Sequence, residues 1–309
     1  MEVIRLRNHE INREQWDHTV SRIPGGLIYA RSWYLDAVAP GWQALATPDY
    51  SLMMPLPCRH KWGIRYLFQP LLTQQLGVLS EHQPTSFEVA AFLEALPAEF
   101  RLIEITLNRT NHPNPSPAFR QHTTYRLDLS NRYEELASHY SENARRNLRK
   151  TDKENFRFES GLAPGEFLDL LRQDPGKGSH ILLTLPNRKV LLRLINTLLA
   201  HGAGMIYGVR DNDGRLICGL LMATHLGTHY YLAPACLPEG RESRAMFFLI
   251  DRFISQQAGI PTVLDFEGSD IASLARFYSG FGAQPESYPS FRVNRLPWPL
   301  NYLADRRIR

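Results

Sequence analysis

Pro238-Glu-Gly-Arg-Glu-Ser-Arg-Ala245 runs directly into the apolar stretch Met246 to Ile254, and Thr262-Val-Leu-Asp-Phe-Glu-Gly-Ser269 follows. The order reads as loop, helix, strand. Met246, Leu249, Ile250, Phe253 and Ile254 recur at helical spacing on one face, Asp251, Arg252, Ser255 and Gln256 take the other, and Gly259 and Pro261 stop the helix. The first turn of a helix has N–H groups without intrahelical acceptors and carries the positive end of its dipole. The window of Glu239, Gly240, Arg241, Glu242, Ser243, Arg244 and Ala245 is therefore a candidate cradle for a phosphate or pyrophosphate, with Arg241 and Arg244 adding charge. An ordinary helix start with solvated arginines has the same signature.

Working outward, Ile271-Ala-Ser-Leu-Ala-Arg-Phe-Tyr-Ser-Gly-Phe-Gly282 reads as a second short helix ending on glycines. With this segment the chain resembles the acyl-CoA N-acyltransferase (GNAT) superfamily, and within it the two-domain branch related to the Fem aminoacyltransferases, where a similar Asp-Phe-x-Gly segment precedes a Gly-Phe-Gly element. The resemblance implies an acyl-CoA co-substrate and no prosthetic group. It also implies a tyrosine four residues before the Gly of a terminal Gly-Phe pair, acting as general acid for the departing thiolate. Tyr278 stands four before Gly282. The superfamily's phosphate loop reads Gln/Arg-x-x-Gly-x-Gly/Ala; in the window ending on Ala245, Gly240 and Ser243 replace the Gln/Arg and the first Gly, and Ile271 stands where an Asn commonly precedes the tyrosine. Upstream, Pro234 ends Tyr230-Tyr-Leu-Ala233 without a donor, so pairing is expected to stop there. In the superfamily the corresponding strand splays from its neighbour and accepts the pantetheine amide, which points to Tyr231 and Ala233.

Composition bounds these readings. A chain of 309 residues, 43% hydrophobic, is long enough for two domains. The 35 basic and 31 acidic residues leave a net charge of +4, short of the bias of a dedicated nucleic-acid binder. No apolar run approaches the roughly 20 residues that cross a bilayer, and Met1-Glu-Val-Ile-Arg-Leu-Arg-Asn8 lacks the pattern of a signal peptide; a cytoplasmic location is the expectation. Cys58, Cys218 and Cys236 are too scattered for a disulfide framework or a zinc cluster. His225 and His229 flank Leu226-Gly-Thr228, a hairpin turn, so their spacing is not a metal signature and no metal site is expected.

The element order recurs. Ser51 to Pro57 and Tyr66 to Gln69 read as a strand pair, followed by the loop Pro70 to Gly77, a helix near Thr85 to Leu96 and the strand Leu102 to Leu107. Leu216 to His225 and Thr228 to Ala233 pair likewise, before the 234–242 loop, a helix from about Ser243 and the strand at Thr262. The expected fold class is α/β, with tandem GNAT-like domains, each a mixed, mostly antiparallel sheet flanked by helices. Residues 1–130 form the N-terminal, acceptor-side domain and residues 131–309 the C-terminal, donor-side domain. Tyr29-Ala-Arg-Ser-Trp-Tyr-Leu35 and Gln69 to Gly77 also resemble N-domain segments of two-domain relatives.

Near the junction, Arg145 with Arg149, and Arg146 with Lys150 and Lys153, stack at helical spacing as basic ridges. They form either a solvated face or an anion site, and similar segments adjoin the inter-domain cleft in Fem-like relatives. Glu267, at the carboxyl end of a central strand, is the candidate base, directly or through water, and a helix N-terminal carboxylate is the competing role. Asp265, two residues earlier, is the less favoured base. These readings combine into an N-acyltransferase moving an acyl group from acyl-CoA to a small-molecule or cell-wall-precursor amine held in the inter-domain cleft. Two alternatives stand beside it: an aminoacyl-tRNA-dependent Fem-like transferase acting on a peptidoglycan precursor, less favoured because no long charged helical hairpin is evident, and a non-catalytic protein holding an anionic ligand.

Overall fold

A computed structural model describes residues 1–24, 26–268 and 270–302, and the chain divides into two compact units: Met1–His122 together with the segment from Ser287 onward, and Thr123–Glu286. The first unit opens with β1 (Ile4–Leu6), α1 (Arg13–Val20) and α2 (Ser32–Val38). Next come β2 (Gln43–Ala46), β3 (Leu52–Leu56), β4 (Cys58–Lys61), β5 (Ile64–Leu67), β6 (Leu79–Ser80), α3 (Ser86–Glu94) and β7 (Phe100–Thr106). Helix α3 starts where the sequence places it, because Thr85 and Glu88 cap each other's backbone.

Strand β8 (Phe119–Asp128) leads into the second unit, which continues through α4 (Tyr133–Ser138), α5 (Glu142–Thr151), β9 (Arg157–Ser160), α6 (Pro164–Gln173), α7 (Lys177–Leu183) and α8 (Leu185–Ala200). Then follow β10 (Gly204–Arg210), β11 (Leu216–His225), β12 (Thr228–Cys236), α9 (Pro238–Glu242), α10 (Ala245–Gln257), β13 (Val263–Asp265), α11 (Ala272–Ser279) and β14 (Gln284–Asn294). Each unit has its own apolar core. Val89, Phe92, Ile103 and Ile105 pack in the first, and Leu220, Leu249, Phe253 and Leu264 in the second.

The same strand arrangement occurs twice. In the first unit the β4–β5 hairpin is followed by α3 and then β7, parallel to β5. In the second, the β11–β12 hairpin is followed by α10 and then β13, parallel to β12. The Leu102 and Thr262 strands are thus equivalent, and both units are mixed α/β sheets with helical cover, as tandem domains require. Each of these two strands also has an antiparallel neighbour, β14 for β7 and β8 for β13.

Three expectations are corrected. Ser51–Pro57 does not pair with Tyr66–Gln69: β3 lies between β2 and β6, and β5 pairs with β4. Pro57 interrupts the extended run, and the two-residue turn Trp62-Gly63, both at positive φ, closes a separate hairpin. The residues from Ser287 belong with the first unit instead of closing the second, because β14 pairs with β7 from Ser290↔Thr106 to Asn294↔Leu102. Pairing also continues past Pro234, which sits opposite Leu220 in β11. The β13 side is where it stops: β12 and β13 are in register only from Thr228 to Tyr230, so a proline meets no ladder there.

Candidate active site

Because β13 leaves β12 after Tyr230, the backbone from Tyr231 to Cys236 has no strand partner on that side, and a cleft of about 620 Å³ opens along it within the second unit. Tyr231, Pro234, Ala235 and Cys236 of β12 line one wall. Gly240, Arg241, Arg244, Met246 and Phe247 supply the end formed by α9 and α10; Ser273, Leu274, Arg276 and Phe277 of α11 and the 174–179 turn complete it.

At the α10 end, Arg244 adopts a left-handed backbone (φ 68°) and is the N-cap residue without capping through its side chain. The N–H groups of Ala245 and Met246 have no acceptor among the described residues, so the helix presents free donors to the cleft. The guanidinium of Arg244 donates to the carbonyl of Arg241 at 2.8 Å, and its Nε is buried with no partner. Arg276 lines the opposite rim.

Asp174 is the buried carboxylate of the cleft. Its Oδ1 accepts from the Gly176 N–H at 2.9 Å and from Arg241, and its Oδ2 from the Ser179 hydroxyl at 2.6 Å and the Cys236 N–H at 3.2 Å. Four donors saturate it, so it organises the wall. Residues 138–270, which hold α9, α10 and most of this wall, match the family profile described as Acetyltransferase (GNAT) domain. Across nearly the whole chain the fold is shared with FemX, at 14% identity, 98% of this chain, 99% of that one and a TM-score of 0.65. A tandem GNAT protein from the clavulanic acid biosynthesis pathway covers 96% of this chain and 99% of its own at 11% identity and TM-score 0.54. L-PGS from Bacillus licheniformis covers 95% and 96% at 13% and 0.52. Residues 138–270 are thus similar to the GNAT acetyltransferase family, and the chain as a whole shares its fold with these three structures. No curated protein matches it in sequence.

In this unit the residues singled out by sequence do not all meet at one place. Tyr231, Gly240, Arg241 and Arg244 meet in the cleft. Arg241, however, is committed to Asp174, and Gly240 is dictated by packing, since a Cβ there would come within 2.6 Å of the Ile217 carbonyl oxygen on β11. The N–H groups of Arg241, Ser243 and Arg244 bond to Leu237, Glu239 and Arg241 inside the α9 turn, so these three donors of the predicted cradle are already taken. Ala233 is wholly buried and Glu239 pairs with Arg215, both outside the cleft lining.

A second, shallower groove gathers Glu242 and Ser243 with Arg146, Arg149, Lys150 and Lys153 of the α5 end. Arg145 is absent from it, because its guanidinium donates to the carbonyls of Tyr140 and Ser138. Those two bonds make it a tie between α4 and α5, not part of a free ridge.

Tyr278 lies behind Tyr231. Its ring stacks on Phe266 at 4.9 Å and meets the Tyr231 ring edge-on at 5.9 Å. Burial pushes its hydroxyl above the usual tyrosine value, and the negative charge of Glu267 raises it further. Glu267 itself has a left-handed backbone (φ 56°), and its N–H donates to Asp265 Oδ1 at 2.9 Å. Asp265 also accepts from the Thr124 hydroxyl at 2.7 Å and faces Arg126 at 3.5 Å, a structural anchor. Among the described residues no cluster of three or more His, Cys, Asp or Glu is arranged to hold a metal.

Sequence reasoning missed the 174–179 turn and the α11 face. Asp174-Pro-Gly176 carries a turn signal, but nothing local tells that it closes on a residue 67 positions away.

Proposed function

We propose that the second unit binds an acyl-CoA along the open edge of β12 and transfers its acyl group to an amine. The observation that carries this reading is the continuity of the cleft. Free N–H donors and Arg244 at the α10 start suit a pyrophosphate, the unpaired β12 edge suits the amides of a pantetheine arm, and Tyr231 connects that edge to Tyr278. In the reaction, Glu267 takes a proton from the acceptor ammonium, directly or through water, the neutral amine adds to the thioester carbonyl, and the tetrahedral intermediate collapses with loss of the thiolate while its nitrogen releases, through water, a second proton that replaces the one Tyr278 gives up. Tyr278 returns a proton to sulfur.

A thermal-shift series with CoA, acetyl-CoA and longer acyl-CoAs tests the donor. A ligand present at a hundredfold its Kd is expected to add about 2.7 kcal/mol of stability. Absence of a shift with every acyl-CoA sinks this donor.

One observation favours a second reading, in which the donor is an aminoacyl-tRNA and the acceptor a cell-wall precursor. Arg146, Arg149, Lys150 and Lys153 form no ion pair among the described residues, and their groove adjoins Ser243 at the α9–α10 junction. Such a ridge suits an RNA backbone. Binding of a tRNA whose affinity falls steeply with salt, alongside indifference to CoA, selects this reading.

A further inference from the structure

The first unit carries an exposed feature that the transfer chemistry does not use. At the tip of the β4–β5 hairpin, Trp62 is 81% exposed, and it occupies a left-handed backbone (φ 51°) that disfavours a bulky side chain and that glycine or asparagine would adopt without strain. A tryptophan at such a position gains nothing for folding.

The strand pairing brings a second exposed tryptophan to the same place. Strand β5, which starts directly after the turn, runs parallel to β7 with Arg65 opposite Phe100. Strand β14 runs antiparallel to β7 and ends with Asn294 opposite Leu102, after which the Arg295 N–H bonds to the Arg101 carbonyl at 2.7 Å. The residues that follow are held there, since the Asn294 side chain donates to the Asn301 carbonyl at 3.0 Å. Trp298 is 82% exposed. Both tryptophans therefore lie beyond the same end of β7. Lys61, Arg65, Arg101 and Arg295 are exposed around them, and the nearby acid, Glu99, is engaged by Arg5 and Arg65.

We propose that this end of the first unit's sheet docks on an anionic phospholipid surface, with Trp62 and Trp298 entering the head-group region and the exposed cations meeting lipid phosphates. Charge complementarity and the amphipathic character of tryptophan at an interface carry the assignment. A single-stranded nucleic acid fits less well. It needs a groove that tracks the backbone and open ring faces for base stacking, whereas Trp62 stands at a tip and Lys61 Nζ covers one face of its ring at 4.4 Å.

The test is co-sedimentation of the full chain with vesicles of phosphatidylcholine alone and of phosphatidylcholine mixed equally with phosphatidylglycerol, at low and high salt. The wild type is expected to bind the anionic vesicles, to shift its tryptophan emission to the blue, and to release at high salt. The Trp62→Gly/Trp298→Ala variant is expected to lose about tenfold or more in binding, roughly 1.4 kcal/mol, with a melting temperature no lower than wild type because glycine is unstrained at position 62. The proposal is overturned if the wild type ignores the anionic vesicles, if the variant binds as well as wild type, or if a single-stranded oligonucleotide binds this face and the vesicles do not. Acyl-CoA binding by the second unit is read separately and does not bear on any of these outcomes.

Discussion

Tyr278→Phe is expected to leave acyl-CoA affinity within about twofold of wild type and to lower turnover by about 10²–10⁴-fold, the range of a positioned general acid. The substitution removes one hydroxyl and keeps the ring, so the stack on Phe266 and the contacts with Tyr231 and Tyr125 persist. The environment also sets the pH behaviour. Burial and the Glu267 charge both disfavour the phenolate, so Tyr278 stays protonated throughout the range in which an amine acceptor loses its proton. Any alkaline fall in rate that belongs to Tyr278 must then lie above the ordinary tyrosine value near 10. Steady-state kinetics across pH, with binding measured separately, gives both quantities. A Tyr278→Phe enzyme with unchanged turnover would remove the tyrosine from the mechanism and leave the thiolate to depart unaided.

The succession of elements was legible in the sequence because each is specified locally. The α10 face repeats at helical spacing, Thr85 and Glu88 cap α3, and the Leu226-Gly227 turn joins β11 to β12. Partner choice between strands was less legible. The continuous apolar run Leu52 to Leu56 marks no particular neighbour, and β14 finds β7 across more than 180 residues, a contact fixed by the whole sheet and not by any short window. The same limit explains the site. The helix start at Ala245 announces itself, but whether an arginine beside it is free depends on a carboxylate elsewhere in the chain. Arg241 meets Asp174 and Arg145 meets two backbone carbonyls, whereas Arg244 and Arg146 have no acid partner among the described residues. Sequence gives all four the same appearance.

Glu267, the proposed base, sits at a strained point of the backbone. It follows the buried Asp265 anchor, and its positive φ is followed by another at Gly268 (φ 46°). A Cβ at Gly268 would approach the Thr123 carbonyl oxygen to 2.0 Å, so the chain can pass β8 at that point only with glycine. The Asp-Phe-Glu-Gly segment is thus a backbone crossing that holds one carboxylate inward as structure and leaves the next beside Tyr278.

Asp174→Ala is expected to be the most destabilising single change in the cleft, at about 3–5 kcal/mol. The carboxylate is 5% exposed, and deleting it strands the Ser179 hydroxyl and the Cys236 and Gly176 N–H groups together with one side of Arg241. Ser179 and Cys236 are themselves buried, so water does not readily replace what they lose. For a chain of this size the loss corresponds to a fall in melting temperature on the order of 10 °C. Arg241→Ala removes the opposite end of the ion pair, but its side chain is 46% exposed and Asp174 retains three other donors. Its expected cost is about 1 kcal/mol or less. The asymmetry separates two roles for the pair. If the Arg241–Asp174 contact itself held the cleft together, the two variants would lose similar stability in chemical denaturation. If Asp174 instead pins the 174–179 turn to β12, Asp174→Ala also weakens acyl-CoA binding by displacing that wall, and Arg241→Ala binds acyl-CoA nearly as well as wild type.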